Sequence, residues 1–274
     1  MSPSERLSER GRVLPFNSKI HPTAIVSPEA QLGADVEVGP YAIIGDNVII
    51  GDGTTIGPHA IIEGWTTIGK RNRIYAGAII GNEPQDKKFR GEKSYLFIGD
   101  DNVFREYCTV SRGTEGGGGE TRIGNQNLFM SYSHVGHDSQ IGNDIVLGHG
   151  SGIAGHVTIE DKVIIGGICG VHQFTKIGRM AMVGAHTMIT KDTPPYALIS
   201  GNPPRVYGVN IVGLRRNGLS PDTRMEIQRA YKILYRSTLN VSQAIEEMER
   251  ELPGCEEIDH FIRFLRNAER GVYR

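Results

Sequence analysis

The chain of 274 residues predicts a prism of stacked short strands with a small helical domain behind it. Three observations point there. An aliphatic residue returns every six positions from Ile20 to Ile189, usually followed by Gly. Two polar stretches interrupt that run. After Gly201-Asn202-Pro203-Pro204 the apolar period becomes helical.

The period of six is neither the 3.6 of a helix nor the two of a simple strand. It suits a triangular coil in which each face takes one hexad and each turn takes three. The aliphatic residue points inward and the next coil stacks at roughly 4.8 Å. The first block runs Ile20, Val26, Leu32, Val38, Ile44, Ile50, Ile56, Ile62, Ile68, Ile74 and Ile80. The second is Ile98, Phe104 and Val110. The third starts at Ile123, with Phe129 in its second place, and runs through Val135, Ile141, Leu147, Ile153, Ile159, Ile165, Val171, Ile177 and Val183 to Ile189. Gly-Asn, Gly-Asp and Gly-Pro pairs are expected to supply the corners.

The elements follow in chain order. Residues 1–17 are expected to be a flexible extension; Met1 to Arg12 are polar, mixed in charge and without an apolar signal core. Residues 18–200 form the coil stack, with polar loops expected at 82–97 and 112–121. His21 and His59 fall on polar corners and should be solvated. Trp65 replaces a small residue and should point outward, against a neighbouring loop or subunit. Val110 and Ile123 are 13 apart, so a register step is lost around the Gly116 to Gly119 run. Pro194-Pro195 stops strand pairing. Residues 201–274 form the helical domain. Its stripes are Met225, Ala230, Ile233 and Leu234; then Ala244, Ile245, Met248 and Leu252; then Ile258, Phe261, Ile262 and Leu265. Ser220-Pro221 reads as an N-cap with a first-turn proline, and Asn240 with Gln243 as a capping box.

Composition narrows the classes. Formal charge is -1, so no global polyanion-binding signal exists and no nucleic-acid partner is expected. The first part of the tail is basic, with Arg205, Arg215, Arg216, Arg224, Arg229, Lys232 and Arg236. Cys108, Cys169 and Cys255 are distant and odd in number, as free thiols of a reducing compartment would be. No apolar stretch approaches a membrane span. A cytoplasmic protein is expected. Apolar outer faces on an open prism call for closed symmetry, and three subunits suit a triangular prism.

Histidines concentrate in the third block: His134, His137, His149, His156, His172 and His186. Gly155 lies 18 residues after His137 and Gln173 a further 18 on, so His137, His156 and Gln173 share one stripe. A histidine can act as a general base near neutral pH. A backbone N–H above it can stabilise an oxyanion, and Asp138 could orient the ring. No Ser or Cys nucleophile has a place here, which favours direct attack by an activated hydroxyl or amine. Three readings stay open at this point: base catalysis, a zinc site across a subunit interface like that of the gamma-type carbonic anhydrases, and an assembly scaffold whose histidines merely bond local backbone.

Hexads of this kind are the mark of the left-handed parallel β-helix. The chain from about Ile20 to Arg274 further resembles the bacterial UDP-N-acetylglucosamine acyltransferases of lipid A biosynthesis. The motifs are Gln85-Asp86-Lys87-Lys88, Arg112-Gly113-Thr114, His134-Val135-Gly136-His137-Asp138, Ala154-Gly155-His156-Val157, Val171-His172-Gln173-Phe174, Pro194-Pro195-Tyr196, Gly201-Asn202, Gly208-Val209-Asn210-Ile211 and Ala230-Tyr231-Lys232. The resemblance implies an all-β left-handed parallel β-helix with a C-terminal α-helical domain, assembled as a homotrimer. It implies transfer of an R-3-hydroxyacyl chain from acyl carrier protein to the 3-hydroxyl of the UDP-sugar. No metal or cofactor is implied, because the donor rides on the carrier's phosphopantetheine.

By motif, His137 would be the base, Asp138 its support and Gly155 N–H the oxyanion donor. His156 and Gln173 would position the sugar and acyl groups. Gln85, Asp86 and Lys88 would touch substrate, while His134 and His172 line the cleft. Asn210 and Arg216 match nucleotide-holding positions, and the basic tail would face the carrier. Ala185 matches the residue that measures acyl length and is often Gly in the family; its methyl should shorten the chain that fits. Val212 and Asn217 depart from the common Glu and basic residue, so nucleotide contacts are expected to differ. A 3-amino sugar nucleotide remains a possible acceptor. The sister N-acyltransferase normally carries a uridine-binding domain ahead of its coils, and here coils begin at Ile20.

Overall fold

The computed structural model describes residues 19–252 and 254–273. The extension expected at 1–17 lies outside them. The coil stack is a left-handed parallel β-helix built mostly from strands of two residues, such as Ile43–Ile44, Ile61–Ile62 and His134–Val135. They line up in parallel sheets of 11, 9 and 8 strands among the described residues, the 11-stranded sheet ending in one antiparallel pair. Each step within a sheet is one coil: Ile44 pairs with Ile62 and Val135 with Ile153.

Both interruptions keep the inner register. Ile68 pairs with Ile98, 30 positions on instead of 18, and the surplus of twelve is the excursion 83–94. Ile98 pairs with Ile123, 25 positions on, a surplus of seven around the glycine run. The excursions are narrower than the 82–97 and 112–121 expected. Ile79–Asn82, Tyr95–Ile98 and Glu120–Ile123 are strands, because Leu96, Thr121 and the aliphatic residue of each strand fill the prism. Trp65 opens the strand Trp65–Ile68 with its side chain outward, and Lys93 of the first excursion lies over its ring at 5.4 Å. His21 and His59 are exposed.

The interior is a column of aliphatic side chains. Phe104 and Phe129 break it as a stacked pair with centroids 4.7 Å apart. Buried asparagines form a second column: Asn102 Nδ2 donates to Asn72 Oδ1, and Asn127 Nδ2 to Asn102 Oδ1. Each amide thereby satisfies the one stacked on it, as burial requires.

Corners differ from the glycine turns expected. Their left-handed positions are taken mainly by non-glycine residues such as Asn47, Asp101, Asp138 and His156, with φ from 58° to 60°. Many of the hexad glycines instead allow close stacking. A Cβ on Gly51 would stand 2.6 Å from the carbonyl carbon of Gly69 in the next coil.

After Ala197–Ser200 the strand Arg205–Val209 pairs antiparallel and leads into α1 (Ile211–Arg216), α2 (Pro221–Arg236), α3 (Val241–Glu251) and α4 (Glu256–Arg266). Ser220 caps α2 by accepting from Thr223 N–H, and Asn240 and Gln243 form the reciprocal box on α3. The buried stripe of α2 is Ile227, Ala230, Tyr231 and Leu234. Met225 is 53 % exposed and Ile233 only half-buried, one step off the face expected. Two tyrosines tie this domain to the prism. Tyr231 O–H donates to Pro195 O at 2.6 Å, and buried Tyr196 O–H donates to Glu257 O at 3.3 Å.

Candidate active site

His137 and Asp138 follow the strand His134–Val135 at a corner. The left-handed φ of Asp138 turns its carboxylate back into the coil, where its side chain is fully buried. Asp138 Oδ2 and His137 Nδ1 are 2.7 Å apart. An ionised carboxylate only accepts, so Nδ1 is assigned the proton and Nε2 carries the lone pair. Nε2 faces Gly155: a Cβ there would stand 2.7 Å from it. Only glycine leaves that nitrogen open.

One coil up, His156 N–H bonds to His137 O at 2.9 Å, which fixes the two rings edge to face at 5.1 Å. His156 Nε2 lies 3.7 Å from Asp138 Oδ2. Another coil up, Phe174 stacks on His156 with centroids 4.5 Å apart. The 18-residue stacking therefore makes two adjacent columns, His137-Gly155-Gln173 and Asp138-His156-Phe174, where the sequence suggested one stripe.

The two excursions fold toward these columns and enclose a cavity of about 700 Å³. Asp86, Lys88, Phe89, Thr114, Gly117, His156 and Phe174 line it. Asp86 Oδ1 accepts from Lys88 N–H at 2.9 Å, which sets the turn that carries both side chains. Arg112 anchors the first excursion. Its guanidinium is buried, donates to Gly81 O and lies under the Phe89 ring at 5.3 Å.

The remaining expected residues sit elsewhere on the chain. His134 faces outward from the nine-stranded sheet, its Nδ1 2.7 Å from Thr109 Oγ1. Gln85, His172, Gln173 and Ala185 are exposed, and His172 Nδ1 lies 3.0 Å from Gln173 O. Asn210 caps α1: Oδ1 accepts from Gly213 N–H, and Nδ2 donates to Met180 O. Arg216 is exposed at the end of α1. None of these seven lines the cavity. Thr114 and Phe174 do, and sequence reasoning missed both as site residues. Phe174 was within reach, because it lies 18 residues after His156.

Electrostatics separates the groups. Burial alone would raise the Asp138 carboxyl, but bonds from His137 and from both Thr114 donors outweigh it and hold the group below its usual range. Burial lowers His134, and neighbouring His137 lowers it further. His156 is also lowered, first by burial, with Asp138 opposing. Both histidines thus favour the neutral form in the folded state. The unfolded chain then binds more protons as pH falls through the ordinary histidine value of about 6.5. Stability is therefore whole above that value and is lost as pH drops toward the folded values. Thermal unfolding between about pH 8 and pH 5 should show the midpoint falling below about 6.5, and a shallower fall in His134→Gln. An equal fall in both would remove His134 from the account.

His137, Asp138 and His156 offer ligand atoms within 4.8 Å of one another. The Asp138 carboxylate is already bonded on both oxygens by Thr114 and on Oδ2 by His137, which leaves it a poor ligand for a metal. The donor set fits a base–orienter pair better than a metal centre.

Comparison with known proteins adds an independent line. The family model described as "Udp N-acetylglucosamine O-acyltransferase; Domain 2" matches residues 192–273. The model "Bacterial transferase hexapeptide (six repeats)" matches residues 47–82 and 120–155. The acyl-[acyl-carrier-protein]–UDP-N-acetylglucosamine O-acyltransferase of Anaeromyxobacter sp. (strain K) is 49 % identical, covering 93 % of this chain and 99 % of its own. The protein of that name from Xylella fastidiosa is 46 % identical over 94 % and 98 %. The crystal structure of a UDP-N-acetylglucosamine acyltransferase from Bacteroides fragilis matches with a TM-score of 0.91 at 42 % identity, covering 93 % of this chain and 99 % of that one.

Proposed function

Because the chain belongs to the acyl-[acyl-carrier-protein]–UDP-N-acetylglucosamine O-acyltransferase family, we propose that its His137 deprotonates the sugar hydroxyl that attacks the carrier-bound thioester. The protein is an acyltransferase of the first step of lipid A biosynthesis, moving an acyl group from acyl carrier protein to UDP-N-acetylglucosamine. The observation that carries the mechanism is the His137 ring, bonded to Asp138 through Nδ1 and open at Nε2 toward Gly155.

The reaction course follows from that geometry. Nε2 takes the proton of the sugar 3-hydroxyl as its oxygen attacks the thioester carbonyl. Asp138 stabilises the imidazolium that forms. The tetrahedral oxyanion meets the N–H of Gly155. Collapse breaks the carbon–sulfur bond, and the departing phosphopantetheine sulfur takes the proton back from Nε2. The acyl donor is an R-3-hydroxyacyl chain, and no group beyond carrier and sugar nucleotide takes part.

Asp86, Lys88 and Gln85 hold substrate from the first excursion, and His156 and Gln173 position the sugar and acyl groups from the coils. Arg216 contacts the nucleotide, and Asn210 acts through the cap that sets α1. Exposed Lys232 and Arg236 of α2 suit an acidic carrier protein. The outward register row of the nine-stranded sheet begins at exposed Ile25 and Ile43, passes through His134 and ends at exposed Met188. A homotrimer covers that row, places His134 and His172 in a cleft between subunits and keeps the coils 18–200 and the domain 201–274 as one working unit. No helix among the described residues is long and apolar enough to cross a membrane; a cytoplasmic enzyme fits its water-soluble substrates.

The test is acyl transfer from a panel of R-3-hydroxyacyl carrier proteins to UDP-N-acetylglucosamine and to its 3-amino analogue. Product with the hydroxyl acceptor supports the reading; product with the amine alone overturns it. The same panel tests Ala185. Ala185→Gly removes one methyl and should move the preferred chain to longer acyl groups, with discrimination changing by about tenfold or more for one methylene. An unchanged length profile would take Ala185 out of the acyl groove.

A further inference from the structure

The glycine-rich excursion around Gly113 to Gly119 is not an idle surface loop. Thr114 is buried and stands just before a single 3-10 turn, Glu115–Gly117, with no capping bond from its side chain. Its backbone N–H donates to Asp138 Oδ1 at 2.8 Å, and its Oγ1–H donates to Oδ2 at 2.7 Å. The second bond ends on the same oxygen that His137 Nδ1 uses. From the other side, Thr121 Oγ1 accepts from Asp138 N–H at 2.8 Å. The carboxylate is thus held on both oxygens, and its backbone is held too.

The glycines follow from this clamp. A Cβ on Gly117 would fall on the Asp138 carboxylate, and one on Gly113 would fall on the backbone of Glu120. Only a bare backbone lies this close over the acid and shields it from water. Carbonyl Thr114 O closes the loop on itself by accepting from Gly117 and Gly119 N–H, at 3.1 and 2.8 Å. The excursion enters a coil whose inner register is otherwise intact, so it is added to the prism at the one corner that faces the His–Asp pair.

We propose that Thr114 is a positioning residue for acyl transfer, holding the Asp138 carboxylate in the rotation that presents Oδ2 to His137 Nδ1. The inference rests on the reading of His137 as the base. A carboxylate held by two fixed donors cannot turn away from the imidazole. The ring is then locked with Nδ1 toward the acid and Nε2 toward Gly155. Without the hydroxyl, one backbone bond remains on Oδ1, and the carboxylate can rotate about it. The hydroxyl never meets substrate in this scheme; it acts through Asp138 and His137.

The experiment compares Thr114→Val, Thr114→Ser and Thr114→Ala with His137→Ala in the full-length enzyme, using carrier-bound acyl donor and UDP-N-acetylglucosamine. Valine keeps the shape and the backbone donor and loses only the hydroxyl. The expected result is a fall in kcat of roughly tenfold to a hundredfold with KM for the sugar nucleotide within about twofold. Serine restores kcat to within a few-fold of wild type. Alanine, which cannot overpack, repeats the valine result if valine fails to fold. A kcat for the hydroxyl-free variants within twofold of wild type, or a loss in serine as deep as in valine, overturns the proposal. A defect confined to KM overturns it as well, since it would put Thr114 on the substrate. Activity retained in His137→Ala would instead sink the base assignment beneath it, so the two failures are told apart.

Discussion

His137→Ala is expected to lower kcat for acyl transfer by about a hundredfold to ten-thousandfold, the range of a positioned general base. KM for the sugar nucleotide should change little, because the ring meets the reacting proton and contributes little to ground-state binding. The fold should survive. The side chain is at a corner and 14 % exposed, outside the aliphatic column of the prism. Steady-state rates with carrier-bound donor check the first statement and thermal unfolding the second. A kcat within tenfold of wild type in a folded variant would remove His137 as the base. His156 would then become the remaining candidate, at 3.7 Å from the same carboxylate oxygen.

Phe129→Ala carries the largest expected cost in stability. The ring is 1 % exposed and lies parallel to Phe104 within the prism, at a centroid separation of 4.7 Å. Truncating a buried phenylalanine costs about 3–5 kcal/mol, through lost transfer energy and the cavity left behind. A stacked aromatic partner contributes at the upper end of that range. A prism limits relaxation, since the coil above and the coil below are pinned by parallel hydrogen bonds on three faces. Denaturant unfolding at matched protomer concentration measures the loss, because assembly shifts apparent stability. A loss under about 1 kcal/mol would mean that the coils close over the gap, contrary to a rigid stack. The coil of Phe129 leads directly into the corner of His137, so reduced activity at moderate temperature should accompany the destabilisation.

Much of this architecture was legible because one physical rule repeats. An inward residue every sixth position is enough to align Ile44 with Ile62 and His137 with Gly155. Asp138 is suggested as the orienter of His137 by its place next in sequence, and the caps at Ser220 and Asn240 by their own capping motifs. Thr114 was hidden. The seven surplus residues take it off the 18-residue ruler, so nothing in the spacing says that it meets Asp138. Phe174 is on the ruler, 18 residues after His156, but its apolar ring carries no sign of a site beside the polar Gln173 one place before it. The α2 stripe slipped because Met225 and Ile233 fit a helical period on a face that turns toward solvent, while Tyr231 reaches Pro195 with its hydroxyl. Corners were misread for a different reason. Asp138 and His156 accept a left-handed backbone, and the glycines are needed where one coil touches the next.

The mechanism requires His137 to present an unprotonated Nε2 toward Gly155. Nitrogen-15 NMR of the histidine-labelled enzyme near pH 8, where an ordinary histidine is neutral, reads the tautomer directly once the His137 signals are assigned by comparison with His137→Ala. The expected result is a proton on Nδ1, hydrogen-bonded to Asp138, and a bare Nε2. A proton on Nε2 would leave no base facing the substrate side and would contradict the mechanism.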